Sequence, residues 1–284
     1  MSPVRVIFAG LLLISGLATA GTPGVVPSAD GTPIAYEVFG AGEPTLILVH
    51  GWSCDARYWR EQVGPFAAQH RVVTVDLGGH GHSGAGREDY TMQAFGEDVR
   101  AVADAVGGDR LILVGHSMGG LVIAEAARLL PGRVLGLIAV DALHNVEYPV
   151  TEARATEMLA PLEADFPAAC RQFSGSMIRP DMDPALAAWI PADMASAPPH
   201  VAVSAMRRYM DAWISGAGPA VFEALPLPVV AVCADMWPVD EEANRRHMQS
   251  FDALVLDGTD HFLMLGAAGE FNRALAEAVA MLER

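Results

Sequence analysis

A serine flanked by two glycines carries the sharpest chemical signal in this sequence. The run Leu111-Ile112-Leu113-Val114-Gly115-His116-Ser117-Met118-Gly119-Gly120 passes from an apolar stretch straight into a helical one. A G-x-S-x-G pattern at a strand-to-helix turn holds the serine in a strained backbone and lifts its hydroxyl above the sheet. Only tiny neighbours, here Gly115 and Gly119, leave room for it. Ser117 would then stand at the N-terminus of a helix running to Leu130, where free N–H groups and the helix dipole favour developing negative charge. An acyl-transfer transition state needs that environment. The same residues could form a plain tight turn, but the flanking strand and helix favour the chemical reading.

A serine hydroxyl needs a base to become a nucleophile, and a histidine near neutral pKa suits a base that later acts as an acid. The chain has nine histidines. Carboxylates that could orient such a ring close several apolar runs, among them Asp141 and Asp235. His80-Gly81-His82 resembles a metal pair, but no third ligand clusters with it, and the cysteines lack metal spacing. No dinucleotide fingerprint follows a strand, so neither metal nor cofactor is expected.

Elements able to position these residues recur along the chain. Thr45 to His50, Arg71 to Asp76, Arg110 to Gly115, Val134 to Asp141, Pro228 to Asp235 and Leu254 to Asp257 read as buried parallel strands. Tyr58 to Gln69, Met92 to Val106, Ser117 to Leu130 and Gly269 to Leu282 have helical period and supply the crossovers that parallel pairing requires. The class is α/β. About 85 residues separate two of these strands. Residues 142–225, rich in Ala, Met, Pro and Glu, therefore read as a helical cap inserted after the sixth strand, with helices around Thr151 to Phe166 and His200 to Ser215. Residues 21–141 and 226–284 form the core, and Gly21 to Pro33 reads as a lead-in to an initial hairpin.

The 284 residues carry a formal net charge of −16, which argues against non-specific nucleic-acid binding and favours small-molecule partners. All 18 basic residues are Arg. Without Lys there can be no Schiff-base chemistry, phosphate-cradling P-loop or Ser-Lys dyad. Residues 1–20 read as a signal peptide: Arg5 precedes an apolar run from Val6 to Leu17, and Ala18-Thr19-Ala20 forms a cleavage pattern. The expected location is the periplasm or outside the cell, with no stable membrane anchor after cleavage. Three cysteines allow at most one internal disulfide there. Cys54 with Cys170 is the one pair considered, against three free thiols.

With these motifs assembled, the chain resembles the α/β-hydrolase superfamily from about Thr45 to the C-terminus. His50-Gly51-Trp52 is similar to its oxyanion loop and Asp76-Leu77-Gly78-Gly79-His80-Gly81-His82-Ser83 to its D-x-x-G-H-G-x-S turn. The serine elbow follows, and then His261 after the last strand. The resemblance implies an α/β-hydrolase fold, a mostly parallel central sheet flanked by helices. It also implies His261 as the base and the backbone N–H groups of Met118 and Trp52 as the oxyanion hole. His50, His80, His82 and His116 are then left to hold loops. The acid falls to Asp235, in the superfamily's usual acid strand, although Trp237 stands where many members place their Asp. Asp141 is the alternative, Asp240 trails both, and Asp260 reads as a loop residue.

The implied activity is a serine hydrolase cleaving a small carboxylic ester through an acyl-enzyme. Lactone, amide or carbon–carbon hydrolysis, acyl transfer and peracid formation use the same triad and stay open. A secreted binding protein without a working triad is the non-enzymatic alternative. A serine at position 117 argues against dehalogenase or epoxide hydrolase chemistry, which in this superfamily relies on an Asp nucleophile.

Overall fold

The computed structural model describes residues 20–284, so the export segment expected from Val6 to Leu17 lies outside the described residues. Eight strands form one sheet in the order β1-β2-β4-β3-β5-β6-β7-β8. They are β1 (Thr22–Pro27), β2 (Pro33–Phe39), β3 (Thr45–Val49), β4 (Arg71–Val75), β5 (Leu111–His116), β6 (Val134–Val140), β7 (Pro228–Ala234) and β8 (Ser250–Leu256). Strand β2 pairs antiparallel with both β1 and β4, while every pair from β4 across to β8 is parallel. The sheet is thus mostly parallel. The stretch Gly21 to Pro33, expected as a lead-in, itself supplies β1.

Strands β3 and β5 are buried along their whole length, as expected of apolar runs covered on both faces. The crossovers are α1 (Arg60–Ala67), α2 (Met92–Val106) and α3 (Gly119–Arg128). Helix α2 has the bounds read from the sequence, and Thr91 caps it by accepting from the Ala94 N–H at 3.1 Å. Strand β8 starts four residues earlier than its apolar run suggested. It is an edge strand that alternates buried Phe251 with exposed Asp252, and the polar residue interrupts the run.

Between β6 and β7 lie α4 (Glu152–Ala164), α5 (Phe166–Gly175), α6 (Pro184–Met194), α7 (Pro199–Ile214) and α8 (Ala217–Glu223). The sequence disclosed α4 and α7; α5, α6 and α8 are shorter and punctuated by proline or glycine. Core and cap are joined by specific bonds: the Trp52 indole N–H donates to the Ala202 carbonyl at 2.7 Å, and the Tyr90 N–H donates to Ser204 Oγ at 3.1 Å. The chain closes with α9 (Glu241–His247), α10 (Leu263–Gly266) and α11 (Ala268–Leu282). No helix among the described residues is long and apolar enough to cross a membrane.

Because β3, β5, β6, β7 and β8 run the same way, the segments after them emerge at one edge of the sheet. Strand β3 has β4 on one side and β5 on the other, so the strand order reverses beside it, and ligands of open α/β sheets bind at such a point.

Candidate active site

Ser117 follows the last residue of β5 with a left-handed φ of 53°. Its N–H donates to the Val140 carbonyl on β6 at 2.9 Å, and its carbonyl accepts from the Gly120 N–H at 2.9 Å, so the turn is bonded on both sides. A Cβ at Gly115 would lie 2.2 Å from the Gly119 carbonyl oxygen, and one at Gly119 would lie 2.8 Å from those of Val49 and His50. Glycine at both positions is therefore a steric requirement of the turn. The expected helix start at Ser117 shifts to Gly119, because a left-handed residue cannot belong to the helix.

Next to Ser117, neither the Trp52 nor the Met118 backbone N–H has an acceptor among the described residues. Both are buried residues, and such donors are rarely left unpaired. The Trp52 loop is held by His50, whose Nε2 accepts from the Leu77 N–H at 3.0 Å while Nδ1 donates to the Gly51 carbonyl at 2.8 Å. Asp76 anchors the following turn: its carboxylate accepts from the N–H groups of Ala56 and His82, each at 2.8 Å. His80 and His116 also bond backbone carbonyls, at 3.1 Å and 2.8 Å. Burial, and then the neighbouring His50 and His261 respectively, push both rings down to about 3.

His261 lies between β8 and α10, with Nδ1 donating to Asp141 Oδ2 at 2.5 Å. Asp141 follows β6 with a φ of 43°, and its Oδ1 accepts from the Ala234 N–H at 2.8 Å. Burial works to raise this carboxylic acid, but contacts with the His144 and His261 rings outweigh it and hold the group well below the usual carboxylate range. Asp141 is therefore ionised opposite His261.

The structure corrects the expectation that Asp235 orients the ring. Asp235 is partly exposed and turned toward Arg179 Nη1 at 3.5 Å, and its carboxylate is held low chiefly by the Gly258 backbone N–H. Asp141 leans across the end of β7 instead, bonded to the Val232 carbonyl and the Ala234 N–H, and reaches the histidine first. Asp240 caps α9, accepting from the Ala243 N–H at 2.9 Å, and Asp260 accepts from the Phe262 N–H in its own loop and from the Arg179 N–H between α5 and α6.

Three neighbours surround the pair, and of these only His144 is not singled out in the sequence. His144 Nε2 approaches Asp141 Oδ1 at 3.3 Å, close enough for electrostatic attraction without the alignment of a full hydrogen bond. Trp237 stands edge-on between the His144 and His261 rings, with centroids at 5.6 Å and 5.9 Å. His116 donates from Nε2 to the His261 carbonyl, fixing its backbone. The spacing from Asp141 to His144 lies in plain sight, but it means something only once Asp141 is known to face His261.

Ser117 and His261 together line two cavities, one of about 140 Å³ and one of about 1060 Å³. Among the described residues, Asp141, His144 and Cys233 bring potential metal-ligand atoms within 4.8 Å of one another. Burial pushes the Cys233 thiol far up, which keeps it protonated and a poor ligand, and Asp141 is already engaged. All three cysteines are buried free thiols, so the Cys54–Cys170 pairing is not formed.

Comparison with known proteins bears on the fold. The α/β hydrolase fold family model matches residues 44–179. Among curated proteins, the pimeloyl-[acyl-carrier protein] methyl ester esterase of Edwardsiella ictaluri is 43% identical over 105 residues, a stretch covering 37% of this chain and 39% of that protein. The chain spans less than half the length of the curated relatives it matches. Among solved structures, the bromoperoxidase from Bacillus anthracis superposes with a TM-score of 0.79 at 21% identity, covering 91% of this chain and 100% of the other. A thermophilic esterase from Thermogutta terrifontis gives 0.78 at 21% identity over 93% and 100% of the two chains. At these identities the structural likeness establishes the fold.

Proposed function

We propose that this chain, which belongs to the α/β-hydrolase superfamily, is a serine hydrolase that cleaves a small carboxylic ester through Ser117, His261 and Asp141. One observation carries the reading. A serine held in a glycine-walled elbow shares a cavity with a histidine whose far nitrogen is fixed on a buried, ionised carboxylate.

With Nδ1 committed to Asp141, Nε2 of His261 is the nitrogen available to Ser117. It takes the Oγ proton as Oγ bonds the ester carbonyl carbon, and the carbonyl π pair moves onto oxygen. The free N–H groups of Trp52 and Met118 receive that oxyanion, and one such donor typically contributes about 3 kcal/mol. The carbonyl reforms, the alkoxy bond breaks, and Nε2–H protonates the leaving oxygen to give an alcohol. Water then repeats the sequence on the acyl-enzyme, releasing the acid and restoring Ser117. Asp141 stabilises the imidazolium and fixes its tautomer throughout.

An ester is favoured over an amide or lactone by the curated relative, which is named as a methyl ester esterase. A panel of esters, lactones and amides tests this: esters should be hydrolysed fastest, with Ser117→Ala reducing the rate by at least 1000-fold, on the order of triad losses elsewhere. Retention of parental turnover in that variant would sink the proposal. Export is proposed alongside, on the strength of the Val6 to Leu17 run and the Ala18-Thr19-Ala20 pattern. N-terminal sequencing of protein recovered from the periplasm or medium should begin near residue 21.

A further inference from the structure

We infer that the two cavities divide the ester, the smaller taking a short apolar acyl group and the larger taking the alcohol. This rests on the serine hydrolase reading and adds a substrate class to it: esters of linear acids up to about six carbons, or of a single-ring aromatic acid, with bulkier alcohols.

The smaller cavity is walled by six of the chain's 13 methionines: Met118, Met158, Met177, Met194, Met206 and Met210. All but Met158 are buried, and Trp52, Phe173 and Phe262 complete much of the surface. Its volume of about 140 Å³ decides what fits, since an apolar protein cavity of about 150 Å³ accepts benzene. Thioether chains are unbranched and adaptable, so such walls mould to either a linear or a flat apolar group of that size.

The larger cavity has a different character. Tyr148 and Trp237, which line it, are 63% and 39% exposed, and carboxylates and guanidinium groups line it as well. Orientation follows from the order of events. After the first step the acyl group stays on Ser117 while the alcohol must leave and water must enter, which suits the open cleft. Trp52 and Met118, whose N–H groups are free beside Ser117, line the chamber and not the cleft, so the carbonyl end of the substrate belongs on the chamber side.

The test uses 4-nitrophenyl esters of increasing acyl length and, separately, butanoate esters of increasing alcohol size. Each methylene entering the chamber should raise kcat/KM about fourfold. The rise should run from acetyl to about hexanoyl, with decanoyl at least tenfold below the optimum. Met206→Ala, which enlarges the chamber, should move the optimum to octanoyl or longer, while the volume-conserving Met206→Leu should leave it in place. Tyr148→Ala should raise KM for the bulkiest alcohols and leave the acyl profile unchanged. The assignment is overturned if the parent prefers decanoyl, or if Met206→Ala shifts alcohol preference and not acyl preference. Labelling of Ser117 by a fluorophosphonate in the same preparations separates the two readings. Labelling with the wrong acyl profile overturns the chamber alone, and folded parent that neither labels nor turns over esters overturns both.

Discussion

Asp141 Oδ2 and His261 Nδ1 stand 2.5 Å apart although 120 residues separate them in the chain. The contact joins the end of β6 to the loop after β8, passing over the end of β7 that lies between them. A left-handed backbone at Asp141 and two bonds to β7 hold the carboxylate in that reach.

His144, on the other oxygen of Asp141, is expected to act as a positioning residue. His144→Ala should lower kcat about fivefold and leave KM near the parental value, the size of one lost polar contact of about 1 kcal/mol. Steady-state kinetics on a short ester checks it. Unchanged kcat would mean that the Ala234 N–H alone holds the acid.

The glycine walls of the elbow make a stability prediction. Gly115→Ala places a methyl 2.2 Å from the Gly119 carbonyl oxygen, and backbone must move to accept it. The expected cost is about 2 kcal/mol with most activity lost, measured by urea unfolding and ester turnover. Gly132, where an added Cβ meets nothing but φ is 77°, serves as a comparison: Gly132→Ala should cost about 1 kcal/mol and spare activity.

Acid sensitivity should come from the buried rings and not from Asp141. His80 and His116 are held at about 3 by burial, against about 6.5 in an unfolded chain. Between those values the unfolded state binds more protons, so stability is full above pH 6.5 and falls as pH drops toward 3. Each ring contributes a slope of roughly 1 kcal/mol per pH unit. Urea midpoints measured from pH 7.5 to 5 should fall accordingly, less steeply in His80→Gln. A flat profile would show that the rings are protonated in the folded state. Asp141, held below the usual carboxylate range, stays ionised throughout this window.

How much of this was legible in the sequence depended on whether the signal was local. The elbow around Ser117 and the turn around Asp76 announce themselves because their glycines answer to backbone geometry within a few residues. His261 was found through motif order in the family it resembles. Asp141, the carboxylate that bonds His261, stands only as the alternative in the sequence because Asp141 and Asp235 both end apolar strands, and only three-dimensional packing selects between them. Expecting the usual acid strand puts Asp235 first, and the left-handed turn at Asp141 is not betrayed by residue type because both candidates are Asp. Cap helices α5, α6 and α8 escaped for a related reason: their prolines and glycines imitate loop punctuation, while caps such as Asp183, which accepts from the Ala185 and Leu186 N–H groups, restore helix starts. The β1 strand hid in a Gly/Pro-rich stretch because an edge strand needs few apolar residues.

Intact-mass kinetics of fluorophosphonate labelling addresses the central assignment most directly, comparing the parent with Ser117→Ala, Asp141→Asn and Asp235→Asn. Parent and Asp235→Asn should gain one probe mass at Ser117 at similar rates, Asp141→Asn should slow by roughly 1000-fold or more, and Ser117→Ala should gain none. Labelling of Ser117→Ala at the parental rate, or a slowing in Asp235→Asn that Asp141→Asn does not share, would contradict the account.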